Sequence, residues 1–428
     1  MEIPHASPAL EQRLVPTAPL QGGFVQTLKQ RWKLAAGLMF VALLAVALVV
    51  GFLAWTDEND PHDFRLRIAV PNSGEPFASA LYQSVGLRML GGHQVSFINN
   101  GAVFDALVRE TAQARSSVHI VMYIWEKGAA SDRVSAALVE RARAGVQCRI
   151  LVDAFGSPGF SDRVEPALRA AGCEVRVFRP LPGKDELARN HRKVAVFDGK
   201  VAITGGFGIR DNWLGDGIRG GSWRETNVRF AGPAVAEAQQ AFAENWQEAG
   251  GELLPLEAFP APAPAAQGTA RAAFIASSAS PVVTRAERIT QLLLAAGKRR
   301  IWITNAYFVP SGAILDMLAR KAAEGVDVRL LAPGSKSDSK TSFGAQKAQY
   351  ESLIERGVRV WEYAPSMLHS KTLLVDDGLS LVGSINLEPL SLSKLEEVAL
   401  IVEDAAVAAE LERQFTRDCT QAQELSAR

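Results

Sequence analysis

Apolar residues form one long uninterrupted run near the start of the chain. Residues 34–54 contain no charged side chain, and a run of this length can cross a bilayer as one helix. Arg31 and Lys33 precede the run and acidic residues follow it, which predicts a cytoplasmic N-terminus and a periplasmic location, outside the inner cell membrane, for the rest of the chain. A cleaved signal peptide is the alternative, which the length of the run disfavours. Residues 1–33 lack periodicity and are predicted to form a disordered tail.

From residue 67 onward, short apolar runs alternate with segments whose apolar residues recur at helical spacing. Strands are predicted at 95–98, 118–125, 147–152 and 173–178, and helices at 103–114, 134–144 and 164–171. The same order returns in the second half, with helices at 289–296, 313–323 and 350–356 and strands at 301–309, 326–332 and 358–363. This alternation predicts βαβ units and a mostly parallel sheet covered on both faces. The chain is therefore predicted to be an α/β protein with two tandem repeats, 67–255 and 273–420, and a Pro- and Ala-rich linker at 256–272.

The composition argues against several classes of function. The formal net charge is zero, so the chain as a whole lacks the basic surplus that nucleic-acid-binding proteins carry. The three cysteines, Cys148, Cys173 and Cys419, are too few for a disulfide framework or a cysteine-based zinc site, and we expect buried thiols. Cys148 and Cys173 each begin an apolar strand, so they could be neighbours. A disulfide between them remains open if this part of the chain lies outside the cytoplasm.

One polar pattern occurs twice in the chain. It reads His369-Ser370-Lys371, an apolar run, Asp376, and then Gly383-Ser384-Ile385-Asn386. Earlier it reads His191-Arg192-Lys193, an apolar run, Asp198, and then Gly205-Gly206. The two histidines lie 178 positions apart, which is close to the spacing of the helix-ending glycines in the two repeats. Two such copies are very unlikely by chance, so the duplicated pattern predicts a functional site.

The repeated residue types point to phosphoryl-group chemistry. One imidazole can attack phosphorus and form a phosphohistidine, while a second protonates the leaving oxygen and then activates the acceptor. Two lysines can neutralise the phosphodiester and the charge of its transition state. This chemistry requires neither a metal nor a cofactor. The sequence contains no Gly-rich phosphate loop and no Gly-x-Ser-x-Gly elbow, and His5, His62, His93 and His119 have no matching context.

The duplicated pattern resembles the phospholipase D superfamily, and the chain is most similar to bacterial cardiolipin synthases. The similarity covers roughly residues 90–415 and extends to several short segments: Tyr123-Ile124-Trp125, Val152-Asp153-Ala154-Phe155-Gly156-Ser157, Ala306-Tyr307-Phe308-Val309-Pro310, and Asn386-Leu387-Glu388-Pro389 with Ser391. The resemblance implies two phospholipase D-like βαβ sandwich repeats that form one pseudo-twofold catalytic unit after a transmembrane helix. It implies an enzyme that joins two phosphatidylglycerols into cardiolipin at a membrane and releases glycerol.

The resemblance also implies roles for individual residues. The catalytic set comprises the two His/Lys pairs with their aspartates: His191, Lys193, Asp198, His369, Lys371 and Asp376. Phosphate-binding positions fall on Gly206, Ser384 and Asn386. In the family a downstream acid orients each histidine, which places Glu225 with His191 and Glu396 with His369. Glu397 competes with Glu396, since strand alternation turns only one of them inward.

The first copy departs from the family pattern at two positions. Gly206 stands where serine is usual and Gly208 where asparagine is usual, so a polar side chain near the phosphate is missing. Three functions therefore remain open. The protein is a phosphatidyltransferase, a hydrolase of the phospholipase D or nuclease type, or a membrane-tethered binding protein with a decayed site. The sequence leaves the acceptor, the acyl-chain preference and the oligomeric state undetermined.

Overall fold

The computed structural model describes residues 22–58, 69–180, 188–219, 221–259, 266–280 and 283–426, and divides into two bodies, Met1–Pro61 and His62–Arg428. The first body contains helix α1 (Gly22–Glu58), in which Arg31–Val50 is long and apolar enough to cross a membrane. The helix begins before the predicted apolar run because the residues ahead of it, including Gln and Lys, are good helix formers. The prediction of a disordered tail is therefore wrong for residues 22–33, and the rest of that tail lies outside the described residues.

The second body contains the strands and the remaining helices. The strands are β1 (Leu90–Asn99), β2 (Ser117–Met122), β3 (Gln147–Asp153), β4 (Glu174–Phe178), β5 (Val194–Phe197), β6 (Val201–Gly205), β7 (Thr226–Ala231), β8 (Ala270–Ser277), β9 (Arg300–Thr304), β10 (Asp327–Pro333), β11 (Arg359–Tyr363), β12 (Thr372–Val375), β13 (Leu379–Gly383), β14 (Glu397–Glu403) and β15 (Ala422–Glu424). The helices are α2 (Gly74–Val85), α3 (Ala102–Gln113), α4 (Ala129–Arg143), α5 (Phe160–Arg163), α6 (Glu165–Ala170), α7 (Val235–Glu248), α8 (Arg285–Ala296), α9 (Gly312–Ala323), α10 (Lys340–Glu355), α11 (Pro389–Ser393) and α12 (Ala405–Cys419). Short 3₁₀ helices occupy Asp211–Trp213 and Leu256–Ala258.

The strand order shows that one unit has been used twice. From the centre outward, the first half runs β1-β7-β6-β5-β2-β3-β4, and the second half runs β8-β14-β13-β12-β9-β10-β11, with β15 at its edge. The predicted α/β fold with two repeats is confirmed. The prediction of a mostly parallel sheet is wrong: among the described strands, only β2, β3 and β4 and their counterparts β9, β10 and β11 pair in parallel. Apolar runs reveal that strands are buried but not their direction.

The two halves share a core. Strands β1 and β8 pair antiparallel at the centre, and a cluster of buried side chains includes Val228 and Phe230 from the first half with Val382, Val398 and Leu400 from the second. Such apolar burial contributes about 25 cal/mol per Å² and holds the halves together. The two histidine-bearing segments consequently belong to one rigid unit.

The proposed domain limits shift at three places. Helix α2 precedes the first repeat in sequence, yet Phe77 and Leu81 pack in the core of the second half with Ile289. Strand β8 begins at Ala270, inside the predicted linker, and residues 260–265 of that linker lie outside the described residues. The second repeat continues past 420, because β15 pairs with β11.

Candidate active site

The strand directions place each copy of the motif at the equivalent position of its half, where a parallel strand ends. Strand β5 runs antiparallel to β2, with Val194 opposite Val121, so the start of β5 lies beside the end of β2. Strands β12 and β9 repeat this arrangement, with Thr372 opposite Thr304. His191 and Lys193 therefore lie next to the residue that follows β2, Tyr123. Its ring centroid is 4.9 Å from that of His191.

The two copies interlock across the halves through backbone hydrogen bonds. The amide of His191 donates to the carbonyl of Glu396 over 2.9 Å, and the amide of His369 donates to the carbonyl of Arg224 over 2.8 Å. Each histidine segment is thus hydrogen-bonded to the acid-bearing segment of the opposite half. Lys371 acts electrostatically on His191, and Lys193 and His191 act on His369. The histidines and lysines share one site.

Each imidazole is paired with a buried carboxylate from the other copy. Nδ1 of His191 lies 2.8 Å from Oε1 of Glu397, and Nδ1 of His369 lies 2.7 Å from Oε2 of Glu225. The predicted pairing of Glu225 with His191 and of Glu396 with His369 is therefore wrong. Each acid contacts the histidine of the opposite half, because the acid-bearing segment of one half is hydrogen-bonded to the histidine segment of the other. An ionised carboxylate can only accept a hydrogen bond, so Nδ1 carries a proton in each pair, and Nε2 is the ring atom that can attack or hold a second proton.

Glu396 points away from the imidazoles. Its carboxylate lies 3.5 Å from the guanidinium of Arg192, 3.5 Å from that of Arg179, and accepts a hydrogen bond from Asn245. Neighbouring residues at a strand start face opposite sides, so Glu397 and Glu396 cannot both reach the site. We assign Glu396 to the buried ion-pair cluster that joins the two halves.

Both lysines are buried beside the histidines. Nζ of Lys193 donates to the carbonyl of His191 over 2.7 Å, and Nζ of Lys371 lies 3.1 Å from Nε2 of His369. Burial lowers the pKa of Lys193 to about 7 and that of Lys371 to about 8. Burial also lowers the pKa of His191 and, to a greater extent, that of His369. An anionic ligand at this position would favour the charged lysines and raise their pKa again.

The predicted phosphate-binding residues have different surroundings. The hydroxyl of Ser384 donates to Oε2 of Glu397 and accepts from the amide of Val398 over 3.0 Å, so it holds the acid rather than facing a ligand. Gly206 lies against the carboxylate of Glu225. Oδ1 of Asn386 is buried and has no hydrogen-bond partner within the described residues, which leaves it available to a bound group.

The two motif aspartates lie at the far end of their strands. Asp198 accepts hydrogen bonds from the amides of residues 115–117, and Asp376 from those of residues 298–300, at distances of 2.7–3.2 Å. Both have positive φ angles, 53° and 51°, at the turns that follow β5 and β12. A whole strand separates each aspartate from its histidine, so neither contacts an imidazole, and the catalytic role stays a prediction that this geometry does not support. They anchor the hairpin to the neighbouring strand.

Asp376→Asn is expected to reduce stability rather than turnover. Asp376 is buried, and its backbone hydrogen bonds, with that from Asn72, lower the pKa of its carboxyl. Its folded-state pKa lies below the unfolded value, so its contribution is present above the unfolded pKa and is lost as the pH falls. We expect the free energy of unfolding at pH 7 to fall by about 1–3 kcal/mol. The difference from the original protein should shrink as denaturant titrations are repeated towards pH 3, and a pH-independent difference would contradict this role.

Sequence reasoning missed several features of this region. Ser391 and Trp213 donate to the two orienting acids, although neither belongs to the His/Lys pattern. Ser391 lies 178 positions after Trp213, as His369 does after His191. A comparison of the two repeats at this offset could therefore have identified both residues. Tyr307 donates to Asp338 over 2.8 Å beside His369, which no local pattern predicted. Cys148 and Cys173 are buried and free of a disulfide. Of the four histidines outside the pattern, His93 and His119 are buried, and His5 and His62 lie outside the described residues.

Comparisons with known proteins agree with this arrangement. The family model described as "Cardiolipin synthase, PLD-like domain" matches residues 107–246 and 289–419, one segment in each half. Cardiolipin synthase A of Pseudomonas putida strain GB-1 is 33% identical over 346 residues, which cover 79% of this chain and 71% of that protein. Cardiolipin synthase of Geobacillus kaustophilus strain HTA426 is 34% identical over 333 residues, which cover 74% of this chain and 66% of that protein. The crystal structure of phosphatidylserine synthase from Haemophilus influenzae Rd KW20 superimposes with a TM-score of 0.63 at 14% identity, over 82% of this chain and 92% of that chain, which shows the shared fold.

Proposed function

The chain belongs to the family of cardiolipin synthases with phospholipase D-like domains, and from this premise we propose that it joins two phosphatidylglycerol molecules into cardiolipin and releases glycerol. Membership makes it a phosphatidyltransferase of the cardiolipin synthase type that acts on phospholipid. The observation that carries the finer proposal is the pair of crossed contacts, His191 with Glu397 and His369 with Glu225.

These contacts suit two successive displacements at one phosphorus atom. Because each Nδ1 is held by a carboxylate, each Nε2 can act as a nucleophile or exchange a proton. In the first step, Nε2 of one histidine forms a bond to phosphorus as the bond to the glycerol oxygen breaks. The other histidine enters this step protonated at Nε2 and donates that proton to the glycerol oxygen. In the second step, the latter histidine removes a proton from a hydroxyl of the second phosphatidylglycerol. That oxygen attacks the phosphohistidine, and the free imidazole is regenerated.

The lysines support the charge changes in these steps. A phosphodiester carries one negative charge, and the transition state places more charge on its free oxygens. Lys193 and Lys371 are buried, so their ammonium groups act in a medium of low dielectric constant, where they are more effective than in water. Entry of the anionic diester raises the lowered pKa values of both lysines, which makes both groups cationic when charge must be stabilised.

Incubation of the full-length protein with phosphatidylglycerol vesicles tests the proposal. Lipid analysis should show cardiolipin and glycerol in equal amounts. Phosphatidic acid as the main product would indicate that water resolves the intermediate, and the protein would then be a hydrolase. The absence of any product would support a binding protein with a decayed site. EDTA is expected to have little effect, since the two histidines and two lysines supply the chemistry, and complete loss of activity in EDTA would contradict this mechanism.

We also propose that α1 anchors the protein in the inner membrane by a single pass, with its N-terminus in the cytoplasm. The apolar stretch Arg31–Val50 and the basic residues at its start support this orientation. A protease added to intact spheroplasts should then digest the catalytic part. A catalytic part that survives this treatment would reverse the orientation.

A further inference from the structure

The two halves support their orienting acids with different residues at equivalent positions. Ser384 and Ser391 in the second half lie 178 positions after Gly206 and Trp213 in the first, the spacing that also relates the two histidines. The Ser384 hydroxyl donates to Oε2 of Glu397, and the Ser391 hydroxyl donates to Oε1. The acid that orients His191 therefore receives two side-chain hydrogen bonds from hydroxyl groups.

In the first half, an indole performs this task. Nε1 of Trp213 donates to Oε2 of Glu225 over 3.1 Å, and the amide of Thr226 donates to Oε1 over 3.0 Å. Trp213 is fully buried, and its ring meets that of His369 edge-on, with centroids 5.2 Å apart and planes at 87°. The indole thus contacts both members of the carboxylate–imidazole pair.

The indole also explains the two glycines that depart from the family pattern. A Cβ at position 206 would lie 2.6 Å from Oε2 of Glu225, and a Cβ at position 208 would lie 3.0 Å from Cζ3 of Trp213 and 2.9 Å from Cβ of Ile124. These separations are shorter than van der Waals contact, so a side chain at position 206 would displace the Glu225 carboxylate, and one at position 208 would displace Ile124 or the indole. Gly208 therefore leaves room for Trp213, and Gly206 leaves room for the carboxylate to which Trp213 donates.

We infer that Trp213 is a positioning residue, which holds the Glu225 carboxylate against His369 in the role that Ser384 and Ser391 fill for Glu397. Gly208 leaves room for the indole and Gly206 for the Glu225 carboxylate, so the first copy of the motif is rebuilt rather than decayed. This inference deepens the proposed function and rests on it for the expected effect on activity.

The role has a consequence for pH dependence. The charged and titratable groups that face the Glu225–His369 pair include Lys371, Lys193, Arg224, Asp338, His191 and Tyr307. The N–H of Trp213 stabilises the ionised carboxylate, so its loss increases the proton affinity of the pair as a whole. The pH at which the pair takes up a proton should then rise.

Trp213→Phe tests the role of the indole N–H, because it keeps an aromatic ring and removes that donor. We expect kcat/KM for phosphatidylglycerol to fall by about 10- to 100-fold, the loss of one hydrogen bond to a charged group. The acidic limb of the pH profile should move to higher pH. NMR of the full-length protein with ¹³C-labelled histidine should show the His369 resonance, assigned through His369→Gln, titrating at a higher pH. Trp125→Phe is the matched control, because its buried indole donates to Ser131 over 2.9 Å and not to either orienting acid.

A rescue variant separates positioning from general stability. Gly206→Ser/Trp213→Ser places hydroxyl groups at the positions equivalent to Ser384 and Ser391, and it should recover the pH profile and the His369 titration that Trp213→Phe shifts. An unshifted profile and titration in Trp213→Phe would overturn the inference, as would a shift of equal size in Trp125→Phe. This double variant decides the question if Trp213→Phe does not fold: an unshifted His369 titration in it supports the inference, and a shifted one overturns it. The NMR titration needs no substrate, so it gives its answer even if phosphatidylglycerol is not turned over.

Discussion

Replacement of either His191 or His369 with alanine is expected to abolish cardiolipin formation, with a loss of more than about 10³-fold in kcat. The two rings lie in one site and interact with each other's lysines, so neither half can complete both steps alone. Mass spectrometry of the lipids formed in vesicles would measure the residual activity. Near-normal turnover in either variant would rule out a shared site.

Loss of fold must be distinguished from loss of chemistry in these variants. Alanine leaves Glu397 or Glu225 buried without its imidazole partner, which can lower stability. The variants His191→Gln and His369→Gln keep an amide that can donate to the carboxylate. They should unfold at temperatures close to that of the original protein and remain inactive.

Glu397→Gln is expected to lower kcat by about 10²- to 10⁴-fold, whereas Glu396→Gln should leave kcat little changed. An amide at 397 can present its N–H₂ to Nδ1 of His191 and favour the wrong tautomer. At position 396 the carboxylate contacts Arg192, Arg179 and Asn245, so its loss should lower the free energy of unfolding by about 1–3 kcal/mol instead. Steady-state kinetics and denaturant unfolding of both variants would measure the two effects.

These adjacent residues provide a strict comparison, because the substitutions are chemically identical and one position apart. If Glu396→Gln were the inactive variant and Glu397→Gln the active one, the crossed pairing of acids and histidines would be incorrect. Glu225→Gln should resemble Glu397→Gln, because Oε2 of Glu225 lies 2.7 Å from Nδ1 of His369.

Much of the fold was predictable because it depends on local patterns. Alternating apolar runs and helical spacings recur in both halves, and they correctly predicted two α/β repeats. Strand direction was not predictable in this way. Strands β5 and β6 form a hairpin after the histidine motif, and buried antiparallel strands have the same composition as parallel ones. Helix α1 begins at Gly22, ahead of the predicted apolar segment, since helix formation continues into polar residues that the apolar run does not include.

The candidate site was predictable only in part. His191 and His369 stand out because the pattern is duplicated, and both fall in one site. The aspartates of the same pattern, Asp198 and Asp376, lie at the opposite ends of the strands and bind backbone amides. Their regular spacing in the sequence reflects the length of one strand and its turn rather than a shared catalytic role.

The sequence by itself determined the repeat, the two His/Lys pairs, the membrane-length apolar run and the family. Only the tertiary structure decided that Glu397 serves His191, that Glu225 serves His369, and that an indole replaces two hydroxyl groups in the first half. The physical reason is that each of these contacts joins segments far apart in the chain. The antiparallel pairing of β1 with β8 and the shared core between the halves bring those segments together, and no local pattern records that geometry.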